Sequence, residues 1–361
     1  MAALLFIKPG SAESQSSADC KECIKIGLLT TDSVSFAAMH GAELAIREAN
    51  EMGGMDGKRF RLIIRSMEGP WGTGSRETVS LIFDEKVLAL LGSHDGRNAH
   101  IAEQAATKSS VVLISAWAGD PTLTQAFVPW FFNCVPTDKQ QAEALVKDIY
   151  FKKGLKRILV VTGNDYDSKS ATSGFLRSVK ESGCPEPELF NFENTSQDPE
   201  VLSSKISGSD AQCLVLFCRP EISVKVAALV RQGKIKFPLF GPLMLLNEDV
   251  LSPEELQVYD NVLTVPAGNW SDDSYISFSR RYRNAFNENP GLVASYSYDS
   301  MSILLEAIRK SRSYERELIQ KSLEDIHYRG VTGTISFDSS GNRSGIFTVS
   351  GIYRGVPVTT E

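Results

Sequence analysis

The sequence has few of the residues and motifs that most enzymes and membrane-spanning proteins contain. Its 361 residues include only four histidines and six cysteines. No run approaches the roughly 20 apolar residues that span a bilayer. No G-x-S-x-G, H-E-x-x-H or Walker A motif occurs, and a second C-x-x-C that would complete a four-thiolate zinc site with Cys20 and Cys23 is missing. We therefore expect no catalysis, no metal site and no cofactor.

The sequence also has no long basic run. Lys and Arg number 38 against 44 Asp and Glu, which gives a net charge of -6. Proteins that bind nucleic acid neutralise phosphates with clustered basic residues, so we expect no nucleic-acid partner. Hydrophobic residues make up 42% of the chain and charged residues 23%, as is ordinary for a soluble globular protein.

The first 23 residues are predicted to be a leader and tether. Residues 2–7 are apolar and residues 10–12 are small, as at a signal cleavage site, but a basic start is missing. Two interpretations stay open: a disordered leader, or a secretory signal that begins upstream. Cys20 and Cys23 are expected to form a local disulfide or to be two idle thiols. The residues before Cys20 make a poor lipidation motif, so we do not expect a lipid anchor.

Short apolar runs alternate with helix-length amphipathic stretches from Ile24 to about Leu263. The runs lack inside-outside alternation, which is typical of strands buried on both faces of a parallel sheet. Helices cover both faces of such sheets, and ligands bind at the carboxyl ends of the strands. The predicted strands are 24–29, 62–64, 87–92, 111–115, 158–163 and 213–217.

Helix signals fit this alternation. A stripe of apolar residues predicts a helix over 36–50, and Thr137 with Gln140 forms a capping box. Asp198 and Ser252 each precede a proline at the first position of a predicted helix.

The alternation stops after Pro266. Three helical stretches follow at about 273–287, 294–312 and 314–326, and two strand-like runs follow them at 331–337 and 345–353. A chain of this length favours two domains, and Pro136 and Pro266 are the predicted crossover points.

Several motifs together resemble the branched-chain amino acid binding class of type I periplasmic solute-binding proteins, which serve ABC importers. The motifs are Ile24–Leu28, Gly41–Ala45, Asn50–Gly57, Leu91-Gly92, Asp120–Thr124, Gly241-Pro242 and Tyr296–Asp299. The resemblance implies two Rossmann-like lobes joined by a three-crossing hinge that closes around a ligand. By this analogy, lobe one is 24–136 plus 266–335, and lobe two is 137–265 plus 336–361.

The predicted pocket departs from this class at three positions. Where the class holds a ligand carboxylate with a serine and a threonine, this chain has Gly96 and Gly119. Where an acidic residue binds the ligand ammonium, this chain has Leu243. An ammonium buried against Leu243 would be unpaired, at a cost of several kcal/mol. We therefore expect a ligand other than a standard branched-chain amino acid.

The remaining candidates predict how such a ligand is bound. Trp117 and Tyr166 would stack on an apolar or aromatic body. Backbone N–H groups near helix N-termini would bind a carboxylate or amide oxygen, and Arg97 and Arg219 are candidate anion partners. The candidate ligand-binding residues are Asp95, Gly96, Arg97, Asn98, Trp117, Ala118, Gly119, Tyr166, Arg219 and Leu243.

Each candidate side chain also has a structural alternative. Trp117 would serve as core packing, and Arg97 and Arg219 would pair with acids or face solvent, where such pairs contribute little. Trp71 is expected to line the cleft or to pack its own loop. His94 is expected to be a solvated loop residue.

We predict an extracytoplasmic solute-binding protein, secreted and monomeric. It would bind a small organic ligand, amino-acid-like or an aromatic or carboxylate compound, and deliver it to an ABC permease of the inner membrane. The alternative is the ligand-binding domain of a sensor or receptor with the same fold.

Overall fold

The computed structural model describes residues 23–125, 129–191, 199–232, 237–268, 270 and 272–358. The predicted leader, Cys20 and the Asp198 cap lie outside the described residues. Cys23 is disulfide-bonded. Within the described ranges, no helix is both long and apolar enough to cross a membrane. The same ranges hold no group of three or more His, Cys, Asp or Glu side chains placed to bind a metal.

The described strands form two larger sheets and a small hairpin. They are β1 Ile24–Thr30, β2 Phe60–Ser66, β3 Ala89–Ser93, β4 Leu113–Ser115, β5 Phe131–Asn133, β6 Ile158–Thr162, β7 Glu188–Asn191, β8 Cys213–Phe217, β9 Leu239–Phe240, β10 Leu263–Thr264, β11 Tyr328–Gly330, β12 Gly333–Ile335, β13 Ser350–Tyr353 and β14 Val356–Val358.

The described α-helices are α1 Phe36–Glu51, α2 Thr73–Phe83, α3 Gly96–Lys108, α4 Asp138–Val146, α5 Tyr166–Glu181, α6 Pro199–Gly208, α7 Pro220–Gln232, α8 Pro253–Gln257, α9 Asp273–Phe286, α10 Leu292–Ser311 and α11 Arg316–Glu324. Short 3-10 helices span Pro121–Thr124 and Leu243–Leu246, and a π-helix over Lys147–Lys152 extends α4. The capping box of Thr137 and Gln140 is confirmed, and Ser252 caps α8 in the same way.

Each larger sheet has a parallel core of apolar strands. The first has the order β2-β1-β3-β4-β5, and the second has the order β14-β13-β10-β9-β8-β6-β7. Every residue of β3, β6 and β8 is buried, because helices cover both faces. The predicted parallel α/β fold is confirmed. In both sheets the strand order reverses, at β1 and β3 in the first and at β6 and β8 in the second, and open α/β sheets bind ligands at this kind of reversal.

The helices α9, α10 and α11 return to the first sheet. α10 packs along α1 and against β3 and β4, α9 packs on α1, and α11 packs on α10. A side chain at Gly41 of α1 would overlap the carbonyl oxygen of Ala294, so the glycine permits this close helix contact. We refer to the first sheet with α1–α3 and α9–α11 as the first lobe, and to the second sheet with α4–α8 as the second lobe. The exact residue boundaries of the lobes stay a prediction.

The predictions for the C-terminal strands were partly wrong. A continuous strand over 331–337 is replaced by the β11–β12 hairpin, and the run over 345–353 is regular only from Ser350. At the hairpin turn, the buried Asp299 carboxylate accepts hydrogen bonds from Val331 N and Thr332 N, both at 2.8 Å. These two residues therefore bond to α10 instead of to a neighbouring strand.

A buried arginine stabilises the last segment of the chain that passes between the lobes. The guanidinium of Arg343 donates to Cys134 O at 3.0 Å, to Thr332 O at 2.8 Å and to Thr334 O at 3.1 Å. It therefore ties the chain that leaves β12 to the chain that leaves β5. Residues 345–349 lie in the passage itself and outside any sheet.

Candidate functional site

The N-termini of α3 and α5 meet between the lobes. Each helix follows the carboxyl end of a buried strand and begins after an aspartate. The Asp95 carboxylate accepts from Asn98 N at 2.8 Å, and the Asp165 carboxylate accepts from Ser168 N at 3.0 Å. An N-cap side chain of this kind satisfies a backbone donor that the helix leaves unpaired. The same local sequence pattern thus begins a helix on each side of the cleft.

Two hydrogen bonds cross the cleft from the start of α5 to the first lobe. Gly96 N donates to Asp167 Oδ1 at 3.0 Å, and Tyr166 OH donates to Asp120 Oδ2 at 2.6 Å. Gly96 and Asp120 belong to the first lobe, while Tyr166 and Asp167 open α5 in the second. The structure therefore represents lobes that are closed onto each other.

Asp120 is the centre of a hydrogen-bonded group at the rim. It is 2% exposed, and its carboxylate lies 3.0 Å from His100 Nε2 and accepts from Thr122 N at 2.8 Å. Burial alone would raise the pKa of Asp120, but the bonds from His100, Tyr166 and Thr122 outweigh burial and lower the pKa to about 2. The same contact raises the pKa of His100. Asp120 therefore stays ionised with partners of its own.

Two aspartates of the second lobe approach the glycines that replace the hydroxyl residues of the class. A Cβ at Gly96 would lie 2.7 Å from Asp167 Oδ1, and a Cβ at Gly119 would lie 2.7 Å from Asp138 Oδ1. A serine or threonine at either position would require the aspartate side chain to shift. Carboxylates thus lie where the resemblance implies hydroxyl groups.

A small cavity lies between these groups. Its volume is about 30 Å³, which is room for about two water molecules, so a larger solute needs the lobes further apart. Both lobes contribute to its wall. The lining residues are Asp95, Trp117, Ala118, Gly119, Val135, Asp138, Gln141, Asp167, Pro242, Leu243 and Met244.

The charge of this wall is negative. Burial raises the pKa of Asp138 to about 7, with further contributions from Asp167 and Asp120. Burial likewise raises the pKa of Asp167 to about 7, and Asp95 adds to the effect. Among the described residues that line the cavity there is no Lys, Arg or His. The two carboxylates are therefore poorly compensated by their surroundings.

Three of the predicted anion-binding N–H groups already have acceptors. Gly96 N donates to Asp167 and Asn98 N donates to Asp95, as described above, and Ala118 N donates to Ser115 Oγ at 3.1 Å. Leu243 is buried, and its N–H donates to Gln141 Oε1 at 2.8 Å. An anionic oxygen would have to displace these protein acceptors.

Five of the ten candidate residues line the cavity: Asp95, Trp117, Ala118, Gly119 and Leu243. Gly96 and Tyr166 form the bonds across the cleft, and Tyr166 is 43% exposed. Arg97 and Asn98 line an open groove on the first lobe that shares Asp95 with the cavity, and Arg219 is exposed just before α7. Ligand contact by all ten remains a prediction.

Two other sequence interpretations were wrong. His94 is 1% exposed instead of solvated, and its ring lies against Gly92 at the end of β3. Trp71 is 96% exposed, so it does not pack its own loop; it borders the open groove that Asp95 and Arg97 also line.

Sequence reasoning missed Asp138 and Asp167, which dominate the charge of the cavity. The candidates came only from positions matched to the class, and both aspartates lie next to residues that were identified, Thr137 and Tyr166. A signal was present, because each aspartate occupies the first turn of a helix that begins at the cleft. The sequence-based inference against an amino-acid ligand considered only Leu243 of the cavity wall. It did not include Asp138 and Asp167.

Comparison with known proteins identifies the family. A family model described as "Periplasmic binding protein" matches residues 23–347. This chain belongs to that family. The predicted resemblance to the branched-chain amino acid binding class of solute-binding proteins is confirmed.

Solved structures share the fold at low sequence identity. LivJ of Streptococcus pneumoniae in complex with isoleucine is 23% identical, with a TM-score of 0.77 over 92% of this chain and 97% of that one. An ABC-transporter solute-binding protein of Rhodopseudomonas palustris in complex with 3,4-dihydroxybenzoic acid is 19% identical, with a TM-score of 0.78 over 92% and 93%.

Curated relatives include longer proteins. Glutamate receptor 3.4 of Arabidopsis thaliana is 20% identical over 88% of this chain and 37% of the receptor. Metabotropic glutamate receptor-like protein E of Dictyostelium discoideum is 23% identical over 65% of this chain and 31% of that protein. The chain thus spans about a third of the length of the curated relatives it matches.

Proposed function

We propose that this protein is an extracytoplasmic solute-binding protein that closes around a small organic ligand and delivers it to an ABC permease of the inner membrane. It acts as a monomer and without turning its ligand over. The family and the two-lobed fold support this function, and the permease is the partner that the similar ABC-transporter proteins share.

The cavity between the lobes is the observation that carries the proposal. Its wall combines residues of both lobes, and two hydrogen bonds close it at the helix starts. A ligand bound there contacts both lobes only when they are closed, so it stabilises the closed form by its differential affinity. The apolar part of the wall, with Trp117 and Leu243, suits a solute with an apolar body.

A thermal-shift screen tests the proposal. The protein is unfolded and refolded to remove any retained solute. It is then screened against branched-chain and aromatic amino acids, aromatic carboxylates, short-chain acids, amides and amines. A ligand at 100 times its Kd adds about 2.7 kcal/mol of stability, which raises Tm by about 2 °C or more. A screen without any hit would contradict the proposal.

The second candidate function is the ligand-binding domain of a receptor or sensor. The glutamate receptors among the relatives favour this second function. The chain matches about a third of each receptor, which is the extent expected of one domain within a longer protein. Reconstitution separates the two functions. Ligand uptake by permease vesicles that depends on this protein supports delivery, and binding without uptake by any co-encoded permease supports the receptor.

A further inference from the structure

We propose that the solute carries an ammonium group, bound between the carboxylates of Asp138 and Asp167, and no free carboxylate. The proposal rests on the proposed function, because it names the ligand chemistry of the same cleft. It differs from the isoleucine and dihydroxybenzoic acid in the similar proteins, which both contain a carboxyl group.

The first argument is the charge of the cavity wall. Asp95, Asp138 and Asp167 line it, while the lining residues that the structure describes include no basic side chain. Asp95 is bonded by both the backbone and the side-chain amide of Asn98, at 2.8 Å each. Asp138 and Asp167 are the acids left with spare acceptor capacity, and a cationic group would supply their missing partner.

The second argument is the limited bonding of these two carboxylates. Asp138 Oδ2 accepts from Ser170 Oγ at a long 3.4 Å, and Asp167 Oδ1 accepts from Gly96 N at 3.0 Å. An ionised carboxylate has about four acceptor positions. An ammonium has three donors, so it can bond to both aspartates at once.

The third argument concerns the glycines. Hydroxyls at positions 96 and 119 would donate to a carboxylate of the ligand, but both positions lack a side chain, and Asp167 and Asp138 oxygens approach them to within 2.7 Å of a Cβ. A ligand carboxylate at this place would lie against like charges, which is unfavourable at short range. The exchange of hydroxyls for carboxylates thus reverses the charge that the cleft selects.

The remaining wall indicates the body of the solute. Trp117 is half-buried and Leu243 is buried, with Val135 and Met244 beside them. An ammonium attached to a short aliphatic or aromatic group would place its charge between the aspartates and its body against these side chains. Because the cavity is small, the lobes separate slightly to admit the body.

Matched ligand sets test the proposal by calorimetry on the refolded protein. One set is isopentylamine, 4-methylpentanoate and leucine, and the other is phenethylamine, 3-phenylpropionate and phenylalanine. Within each set the apolar body is nearly constant. We expect the amines to bind most tightly and the carboxylates not to bind. An amino acid that binds more tightly than its matched amine would overturn the proposal, because its carboxylate would then contribute to affinity.

Variants locate the site. Asp138→Asn and Asp167→Asn should each weaken amine binding by about 100-fold or more, which is about 2.7 kcal/mol. Asp210→Asn is the matched control, since Asp210 is exposed and pairs with Arg157, and it should bind the amines as the unchanged protein does. Equal affinity in all three variants would overturn the assignment of the site.

The test separates the two proposals. Binding of carboxylates without amines would overturn the ammonium proposal and leave the solute-binding function intact. Absence of binding across both sets and the wider screen would overturn both.

Discussion

Two pairs of partly buried acids in this protein differ in what surrounds them. The capping pair is Glu248 and Asp249, in the second lobe just after the 3-10 helix Leu243–Leu246. Glu248 accepts from Val293 N at 2.9 Å and from Ala294 N at 2.8 Å, at the start of α10. Asp249 accepts from two N–H groups at the start of α1, the closer being Ala37 N at 2.6 Å. Both helices belong to the first lobe, so this pair also joins the lobes.

The cleft pair is Asp138 and Asp167. Burial raises the pKa of Glu248 to about 7 and that of Asp249 to about 6, close to the value of about 7 for each acid of the cleft pair. Each acid of the capping pair, however, accepts two backbone bonds at a helix N-terminus, where negative charge is favoured. Each acid of the cleft pair accepts a single hydrogen bond from the described residues, from Gly96 N for Asp167 and from Ser170 Oγ for Asp138.

The comparison shows that burial and a raised pKa do not by themselves identify a binding residue. The capping pair has the donors that a carboxylate requires, so its role is explained within the fold. The cleft pair lines a cavity and lacks such donors, so its acids are available to a ligand. The following predictions test whether the two pairs behave differently.

The largest effect is expected for the capping pair. Glu248→Ala leaves Val293 N and Ala294 N without their acceptor and should lower the free energy of unfolding by about 2 to 4 kcal/mol. Urea unfolding at pH 7 measures this loss. Glu254→Ala, at an exposed position of α8, is the control and should change stability by less than about 0.5 kcal/mol. A loss in Glu248→Ala no larger than the control would remove the distinction between the pairs.

Replacing an acid of the cleft pair should change the stability of the protein in the opposite direction. Asp167→Asn keeps an acceptor for Gly96 N and removes a poorly compensated charge. It should raise the stability of the ligand-free protein at pH 8 by about 1 to 2 kcal/mol, less than the full pKa shift would imply, because the side chain is partly exposed. The same urea titration measures it. Destabilisation at pH 8 would indicate that Asp167 is a structural acid like Glu248.

The gain from Asp167→Asn should depend on pH. The pKa of Asp167 in the folded protein, about 7, lies above the unfolded value near 4. The folded state therefore binds this proton more tightly, and the contribution of Asp167 to stability is lost as pH rises through about 7. The variant should match the unchanged protein near pH 4 and exceed it fully above about pH 8. A gain that is constant with pH would have another origin.

A smaller effect is expected at the rim of the cleft. Tyr166→Phe removes the 2.6 Å bond to Asp120 and should destabilise the protein by about 1 kcal/mol. Small-angle scattering should show a larger mean radius of gyration, because one bond between the lobes is lost. Tyr353→Phe, at an exposed position of β13, serves as the control. Unchanged stability and scattering would mean that this bond contributes nothing to closure.

The smallest effect is expected for Trp71→Ser, which should leave both stability and ligand affinity within about 0.5 kcal/mol of the unchanged protein. The 96% exposure of Trp71 is the reason. Trp117→Ser, which alters the cavity wall, should by contrast weaken ligand binding. Calorimetry with the ligand found in the screen compares the two.

The sequence predicted the parallel core well and the C-terminal strands poorly. The buried strands of both sheets have continuous apolar runs, and helix ends such as Thr137 have local capping signals. A few neighbouring residues of sequence were therefore sufficient to predict these elements. Val331 and Thr332 bond to Asp299, and Arg343 bonds to Cys134, so these contacts join residues that are distant in sequence. No window of neighbouring residues contains those bonds.

For the site, the sequence alone determined the fold family and the glycines at 96 and 119, because these are properties of local sequence and motif order. Only the tertiary structure decided which charges meet. Asp138 and Asp167 lie 29 residues apart along the chain, and they face one cavity because α4 and α5 pack together and both begin at the cleft. Electrostatic interactions depend on distance in space and on burial, and the folded chain sets both.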